Sequence, residues 1–134
     1  YRLKQERPDL RIVLNGGLVE VAQCREALAH VDGVMIGRAA FQEPYRLHLI
    51  HAALFDTPVL PRRDLLRRLE PYVRAQLQQG VALKHISKAL LGLFHAQPGG
   101  RLFRQILSQE APSPQADWQV VEKALAQTEY ESPP

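Results

Sequence analysis

Residues 12–41, IVLNGGLVEVAQCREALAHVDGVMIGRAAF, place a glycine-containing turn directly after each of two short apolar runs. Residues 11–14 and 31–36 are rich in β-branched side chains and predict two strands, the second of them buried. Between them, residues 21–29 carry apolar side chains on one face, which is typical of an amphipathic helix. The order strand, helix, strand predicts one right-handed crossover unit of a parallel α/β fold.

The two turns predict an anion site at the carboxyl ends of these strands. Glycine lets backbone N–H groups approach a ligand closely, and arginine adds a fixed positive charge. In a (β/α)8 barrel the loops after the last two strands frequently hold a phosphate, together with a short extra helix, which would begin at residues 39–41 here. Either turn alone also suits an ordinary loop, but their spacing favours a phosphorylated cofactor or substrate. The turn residues are Asn15, Gly16, Gly17, Gly37 and Arg38.

The second half of the chain reads as helices with a basic surface. Apolar residues recur every three to four positions over residues 62–79 and 83–95, and again in a third helix that follows the Gly99-Gly100 turn. Pro71 predicts a kink or a helix start. Residues 56–111 contain nine Lys or Arg against four Asp or Glu, which suits an RNA backbone, although a solvated basic face explains the count equally well. The candidate RNA contacts are Arg63, Arg67, Lys84, Lys88, Arg101 and Arg104.

A last helix is predicted after the proline-containing segment 111–114. Asp117 or a neighbouring polar residue could cap its start. Trp118 begins a stripe of apolar residues at helical spacing, so we expect a core position for it rather than a base-stacking one. Residues 129–134 are expected to be disordered.

Several of these stretches, taken together and in this order, resemble one family. NGG at residues 15–17, VDGVMIGRAAFQEPYRL at 31–47, EPYVRAQLQQG at 70–80, HISKALLGLFHAQPGGRLFRQILS at 85–108 and VVEKAL at 120–125 are similar to the flavin-dependent tRNA-dihydrouridine synthases, most closely the A-type subfamily. The resemblance covers nearly the whole chain. It implies an α/β fold, with the last two β/α units of a TIM-type (β/α)8 barrel in residues 1–55 and an all-α helical-bundle domain that binds tRNA in residues 56–134.

The resemblance also implies an activity, a cofactor and a partner. Members of this family use reduced FMN to add a hydride to the C5–C6 double bond of a D-loop uridine in tRNA, and NADPH reduces the flavin. It implies that the five turn residues hold the FMN phosphate. The catalytic cysteine of the family lies in a loop on an earlier strand, and no such loop occurs in these 134 residues. We therefore interpret the chain as the C-terminal portion of a longer enzyme, which requires a preceding barrel segment and is inactive without it.

The remaining composition excludes several other classes of protein. Cys24, the sole cysteine, falls within a predicted helix, where we expect a packed apolar role; a single thiol excludes an internal disulfide and fits a cytoplasmic protein. No apolar run reaches the length of a membrane-spanning helix. His85 and His95 lack further ligands at metal-binding spacing, so no metal site is predicted there. His48 and His51 also lack a third ligand; ordinary surface positions are predicted for these two, and no catalytic residue is assigned.

Two alternative functions are compatible with the residues. Another FMN-dependent barrel oxidoreductase acting on a small molecule would share the phosphate loops, but it would not need a basic helical appendage. A stand-alone RNA-binding module with a decayed barrel would bind tRNA without flavin. Bound flavin and affinity for tRNA distinguish the three.

Overall fold

Two neighbouring parallel strands and a larger group of short helices make up the computed structural model, which describes residues 1–128. The predicted disorder of residues 129–134 lies outside the described residues. No helix in the described range is long and apolar enough to cross a membrane. The elements are α1 (Arg2–Glu6), β1 (Val13–Asn15), α2 (Val21–Leu28), β2 (Gly33–Met35), α3 (Arg38–Gln42), α4 (Pro44–Phe55), α5 (Arg62–Arg67), α6 (Glu70–Gln78), α7 (Leu83–Ser87), a 3-10 turn (Lys88–Leu90), α8 (Gly100–Glu110) and α9 (Trp118–Leu125).

The predicted strand, helix, strand unit is confirmed. β1 and β2 pair in parallel, with Asn15 opposite Met35, so both strands end at the same edge. The prediction of a buried second strand is wrong for this structure, because Gly33 and Val34 are only half-buried and Met35 is 46% exposed. Parallel strands are normally covered on both faces and edges, and no third strand pairs with either one within residues 1–128.

A small core lies beneath the sheet, where α2 and α4 cover one side. Leu18, Cys24 and Ile50 are its buried members, and half-buried side chains of both strands pack around them. Cys24 is fully buried, which confirms the packed role predicted for it, and this burial raises the pKa of its thiol.

A second and larger core joins α5 to α9. Phe94 and Phe103 form a tilted aromatic pair with ring centroids 4.7 Å apart. Trp118 is 1% exposed and donates its indole N–H to Glu122, so the predicted core position is confirmed. Asp117 accepts a hydrogen bond from the Gln119 amide and caps α9 as expected. Tyr45 of α4 also reaches this core from the first half of the chain.

One prediction about helix boundaries is confirmed and another is wrong. Residues 62–79 form two helices, and Pro71 lies in the first turn of the second, so it marks a helix start. The single helix predicted over residues 83–95 is wrong: α7 ends at Ser87 and continues as tight turns in which amide N–H groups bond three residues back, as from Leu93 to Leu90. The tighter winding accommodates close packing of Gly92 against the main chain of Gln42.

Candidate functional site

The cleft predicted for an anion lies where the two strands end. Because Asn15 and Met35 are paired and terminal in their strands, the loops that follow leave the sheet side by side. The cleft between these loops has a volume of about 540 Å³. Its lining residues are Asn15, Gly17, Leu18, Val19, Met35, Gly37, Arg38, Ala39 and Gln42.

The backbone of the first loop is open to a ligand. A Cβ added at Gly16 or at Gly17 would meet no atom within 4 Å, so the space beside both residues is clear. Gly17 also has a φ of +63°, a left-handed conformation that favours glycine. These features suit a loop that lets an anion approach the main chain.

The second loop brings a positive charge to the same cleft. Gly37 precedes α3, and its carbonyl accepts the amide of Phe41, which fixes the start of that helix. Arg38 is exposed and forms no ion pair with any residue of the described chain. Its charge is therefore available to an anionic ligand.

Four of the five predicted turn residues line this cleft, namely Asn15, Gly17, Gly37 and Arg38. Gly16 is exposed beside them but is not a lining residue. The other five lining residues were not predicted as contacts, although Ala39 was placed in the short helix that follows the second turn: Leu18, Val19, Met35, Ala39 and Gln42. Ala39 and Gln42 reach the cleft because α3 begins at its edge. Neither residue type carries a sequence signal for such a position.

Arg46 links the segment that follows the first loop to α4 beside the cleft. Arg46 of α4 forms ion pairs with Glu20 and Glu43, and it also donates to the carbonyl oxygen of Val19 at 3.2 Å. Hydrogen bonding and charge from Glu43, reinforced by Glu20, raise the pKa of the Arg46 guanidinium. These contacts tie that segment to α4.

The predicted basic residues separate into two kinds of environment. Five of the six are exposed: Arg67, Lys84, Lys88, Arg101 and Arg104. Arg101 and Arg104 also line a groove beside His95 at the start of α8. α7 and α8 contact each other, so most of these cations lie on neighbouring elements.

Arg63 departs from this group. It is half-buried, and its guanidinium donates to the carbonyl oxygens of Leu125 and Thr128 at 3.0 and 2.8 Å. These bonds hold the end of α9 against α5. The structure therefore gives Arg63 a supporting position inside the helical half, in contrast to the exposed position that the basic pattern predicted.

The histidines also differ from one another. His51 is exposed, as predicted, but the prediction of a surface position is wrong for His48, which is half-buried and accepts the Leu60 amide N–H at 2.9 Å through Nε2. Burial, together with the charges of His51 and Arg68, lowers the pKa of His48. Across residues 1–128 no group of three or more His, Cys, Asp or Glu side chains could hold a metal ion.

Comparison with known proteins identifies the class to which this architecture belongs. The profile described as "Dihydrouridine synthase (Dus)" matches residues 1–129. The chain therefore belongs to the dihydrouridine synthase family.

Several curated relatives of this chain carry the name tRNA-dihydrouridine(20/20a) synthase. A tRNA-dihydrouridine(20/20a) synthase of Xanthomonas axonopodis pv. citri is 56% identical over 98% of this chain, and one of Xylella fastidiosa is 58% identical over 94% of it. A synthase of the same name from Vibrio cholerae is 40% identical over 98% of this chain. The matched regions cover 40%, 38% and 41% of these relatives, so the chain spans about two fifths of their length.

Proposed function

We propose that these residues are the C-terminal portion of a tRNA-dihydrouridine synthase of the 20/20a type, the activity named in the relatives. The observation that carries the proposal is the meeting of both glycine loops and Arg38 in one cleft. Membership of the family supports the assignment of this cleft to a flavin phosphate. The reaction is the reduction of a D-loop uridine to dihydrouridine.

The cleft fits the phosphate of FMN. Asn15, Gly16, Gly17 and Gly37 would offer main-chain and amide groups to the phosphate oxygens, and Arg38 would supply the countercharge. When bound, FMN supplies the hydride for the uracil ring, and NADPH restores the reduced flavin. The five turn residues would retain the cofactor by its phosphate end. The only thiol, Cys24, is fully buried on α2, so we assign it no contact with the substrate.

The open side of the sheet supports a requirement for a preceding barrel segment. Val13 and Met35 expose apolar surface on the strands, and Leu47 and Phe55 expose more on α4. Large apolar side chains in such an arrangement are normally covered. We infer that residues 1–55 complete a (β/α)8 barrel whose other strands precede them, and that the enzyme is inactive without those strands.

The helical half, residues 56–134, is proposed to bind tRNA in the cytoplasm. Exposed cations on neighbouring helices suit the phosphate backbone, which is recognised by charge and shape. Arg67, Lys84, Lys88, Arg101 and Arg104 are the proposed contacts, while Arg63 would support the fold beneath them.

Replacement of Arg38 by alanine in the full-length protein tests the flavin assignment. Loss of a charged hydrogen-bond donor is expected to weaken FMN affinity about tenfold or more, because such bonds contribute roughly 1.5–3 kcal/mol. The measurement is the ratio of flavin to protein absorbance after dialysis, followed by titration with FMN.

The matched control for this experiment is Arg11→Ala. Arg11 is exposed and precedes β1, at the end of the strand opposite the cleft, so its loss should leave flavin content unchanged. Full flavin retention in the Arg38 variant would remove the phosphate assignment.

A further inference from the structure

The helical half of the molecule touches α3 at its last residue, Gln42. A Cβ added at Gly92 would overlap the carbonyl oxygen of Gln42 and lie 2.8 Å from its carbonyl carbon. Gln42 is the last residue of α3 and also lines the phosphate cleft. One short helix therefore lines the proposed flavin site from its first residue to its last, and at its last residue it also contacts the helical half.

Two further contacts hold the same junction. Arg62 at the start of α5 donates from Nε to the carbonyl oxygen of Leu93 at 2.9 Å, and its guanidinium carbon lies 4.0 Å from the centroid of the Tyr45 ring. Tyr45 in turn donates its hydroxyl to the carbonyl oxygen of Leu60 at 2.7 Å. These contacts connect α4, the segment before α5 and the turns after α7 in one place. We call this set, Gln42, Tyr45, Arg62, Gly92 and Leu93, the joint.

The joint has little capacity to adjust at Gly92. The atoms that a Cβ would meet belong to the main chain of Gln42, so no side-chain rotation relieves the overlap. Interiors are packed densely enough that such an overlap moves whole elements. Any larger residue at position 92 would have to displace the turns after α7 from α3.

We propose that Gly92 is a positioning residue for tRNA reduction. It allows the helical half to sit directly against α3, so that tRNA held by the basic helices is presented at a fixed distance from a flavin anchored beside the same helix. The proposal rests on the function proposed above. Hydride transfer depends steeply on placement, since a displacement of about 1 Å can cost about 10²-fold in rate.

The test compares two alanine variants of the full-length protein. Gly92→Ala places its overlap across the joint, whereas Gly100→Ala places a similar overlap within the helical half, where a Cβ would lie 3.0 Å from the carbonyl carbon of Phe94. The measurements are flavin content, the rate of flavin reduction by NADPH, the affinity for unmodified tRNA, and the rate at which tRNA reoxidises the reduced flavin.

For Gly92→Ala we expect normal flavin content, normal reduction by NADPH and tRNA affinity within about threefold of the parent. Reoxidation by tRNA should fall about 10²-fold. Gly100→Ala should instead lower stability and tRNA affinity together, because it disturbs the helical half itself. Reoxidation at the parental rate in Gly92→Ala would overturn the proposal, and so would an identical pattern of losses in both variants.

A second pair of variants serves if Gly92→Ala fails to fold. Arg62→Met removes the bond to Leu93 and the charge over the Tyr45 ring without adding an overlap, and Arg62→Lys keeps the charge. Slower reoxidation in the methionine variant with partial recovery in the lysine variant supports the joint, whereas unchanged reoxidation in both refutes it. A parent protein that binds no flavin, or reduces no uridine, would remove the proposed function itself, which these readouts distinguish from failure of the joint.

Discussion

At the scale of single residues, His48 connects the two halves of the chain through one hydrogen bond. Its Nε2 accepts the amide of Leu60, which lies in the segment between α4 and α5. Only a ring with an unprotonated Nε2 can accept this bond, and burial lowers the pKa of His48 below the ordinary value of 6.5. The bond is therefore lost on acidification, when the folded chain protonates His48 at a pH below that value.

The sign of the effect follows from this lowered pKa. As the pH falls through about 6.5, the unfolded chain takes up a proton before the folded chain does, so the contribution of His48 to stability is complete above that pH and is lost below it. We expect His48→Gln, whose amide oxygen can accept the bond without titrating, to reduce the loss of thermal stability between about pH 7.5 and about pH 5.5. The measurement is the melting temperature of the full-length protein across this range.

His85→Gln is the control for this prediction, because His85 is an exposed histidine on α7. Because it leaves the bond between His48 and Leu60 intact, it should retain the loss of thermal stability on acidification that this bond causes. If His48→Gln and the parent protein lose stability equally on acidification, the Leu60 bond does not titrate in this range.

The environment of Arg63 could not be predicted from the sequence. Arg38 and Arg63 both lie in the first turn of a helix, yet one is exposed at the cleft and the other is half-buried against a carbonyl oxygen of α9. Leu125 and Thr128 are more than sixty positions from Arg63. No local pattern can report such a distant partner, so composition alone assigned Arg63 to the basic surface.

At the scale of elements, α7 and its 3-10 continuation present two exposed lysines on the proposed tRNA surface. Reversing both, as Lys84→Glu with Lys88→Glu, should weaken tRNA binding and lower the slope of log affinity against log salt by about two, since each lost phosphate contact removes about one from that slope. The measurement is a tRNA titration at several salt concentrations. Flavin content should not change, because the phosphate cleft lies elsewhere.

A charge-matched control separates this surface from net charge. Reversal of Arg2 and Arg11, both exposed in the first half of the chain, changes the net charge by the same amount. An equal loss of affinity in both double variants would argue for a non-specific effect of charge. An unchanged salt slope in the lysine variant would exclude α7 from the tRNA surface.

Elements were predictable where the signal was local. The parallel strand pair, its crossing helix and the Asp117 cap follow from periodicity and capping chemistry, and the structure contains each of them. The 3-10 turns after Ser87 were not predictable, because the apolar spacing of that segment is helical and its tighter winding accompanies a contact between Gly92 and Gln42, fifty positions apart. The N-terminal helix α1 was not predicted, because residues 2–6 have neither a recognisable cap nor an apolar stripe.

At the scale of the whole molecule, two cores of unequal size meet at α4. The smaller contains Cys24 and Ile50 beneath the sheet, and the larger contains the helices after residue 61 together with Tyr45. α4 therefore contributes to both, and the joint beside it sets how the proposed flavin cleft and the proposed tRNA surface are arranged. Sequence reasoning predicted the two halves, but their contact depends on packing between residues that are distant along the chain.

The proposed activity belongs to the full-length protein, since the chain spans about two fifths of the length of its curated relatives. The most direct measurement is the dihydrouridine content of unmodified tRNA after incubation with the purified full-length protein and NADPH, together with the visible spectrum of that protein. We predict bound flavin and a new dihydrouridine in the D-loop, at position 20 or 20a as in the names of the relatives. A colourless protein that binds tRNA, or a flavoprotein that leaves every uridine unreduced, would contradict the account.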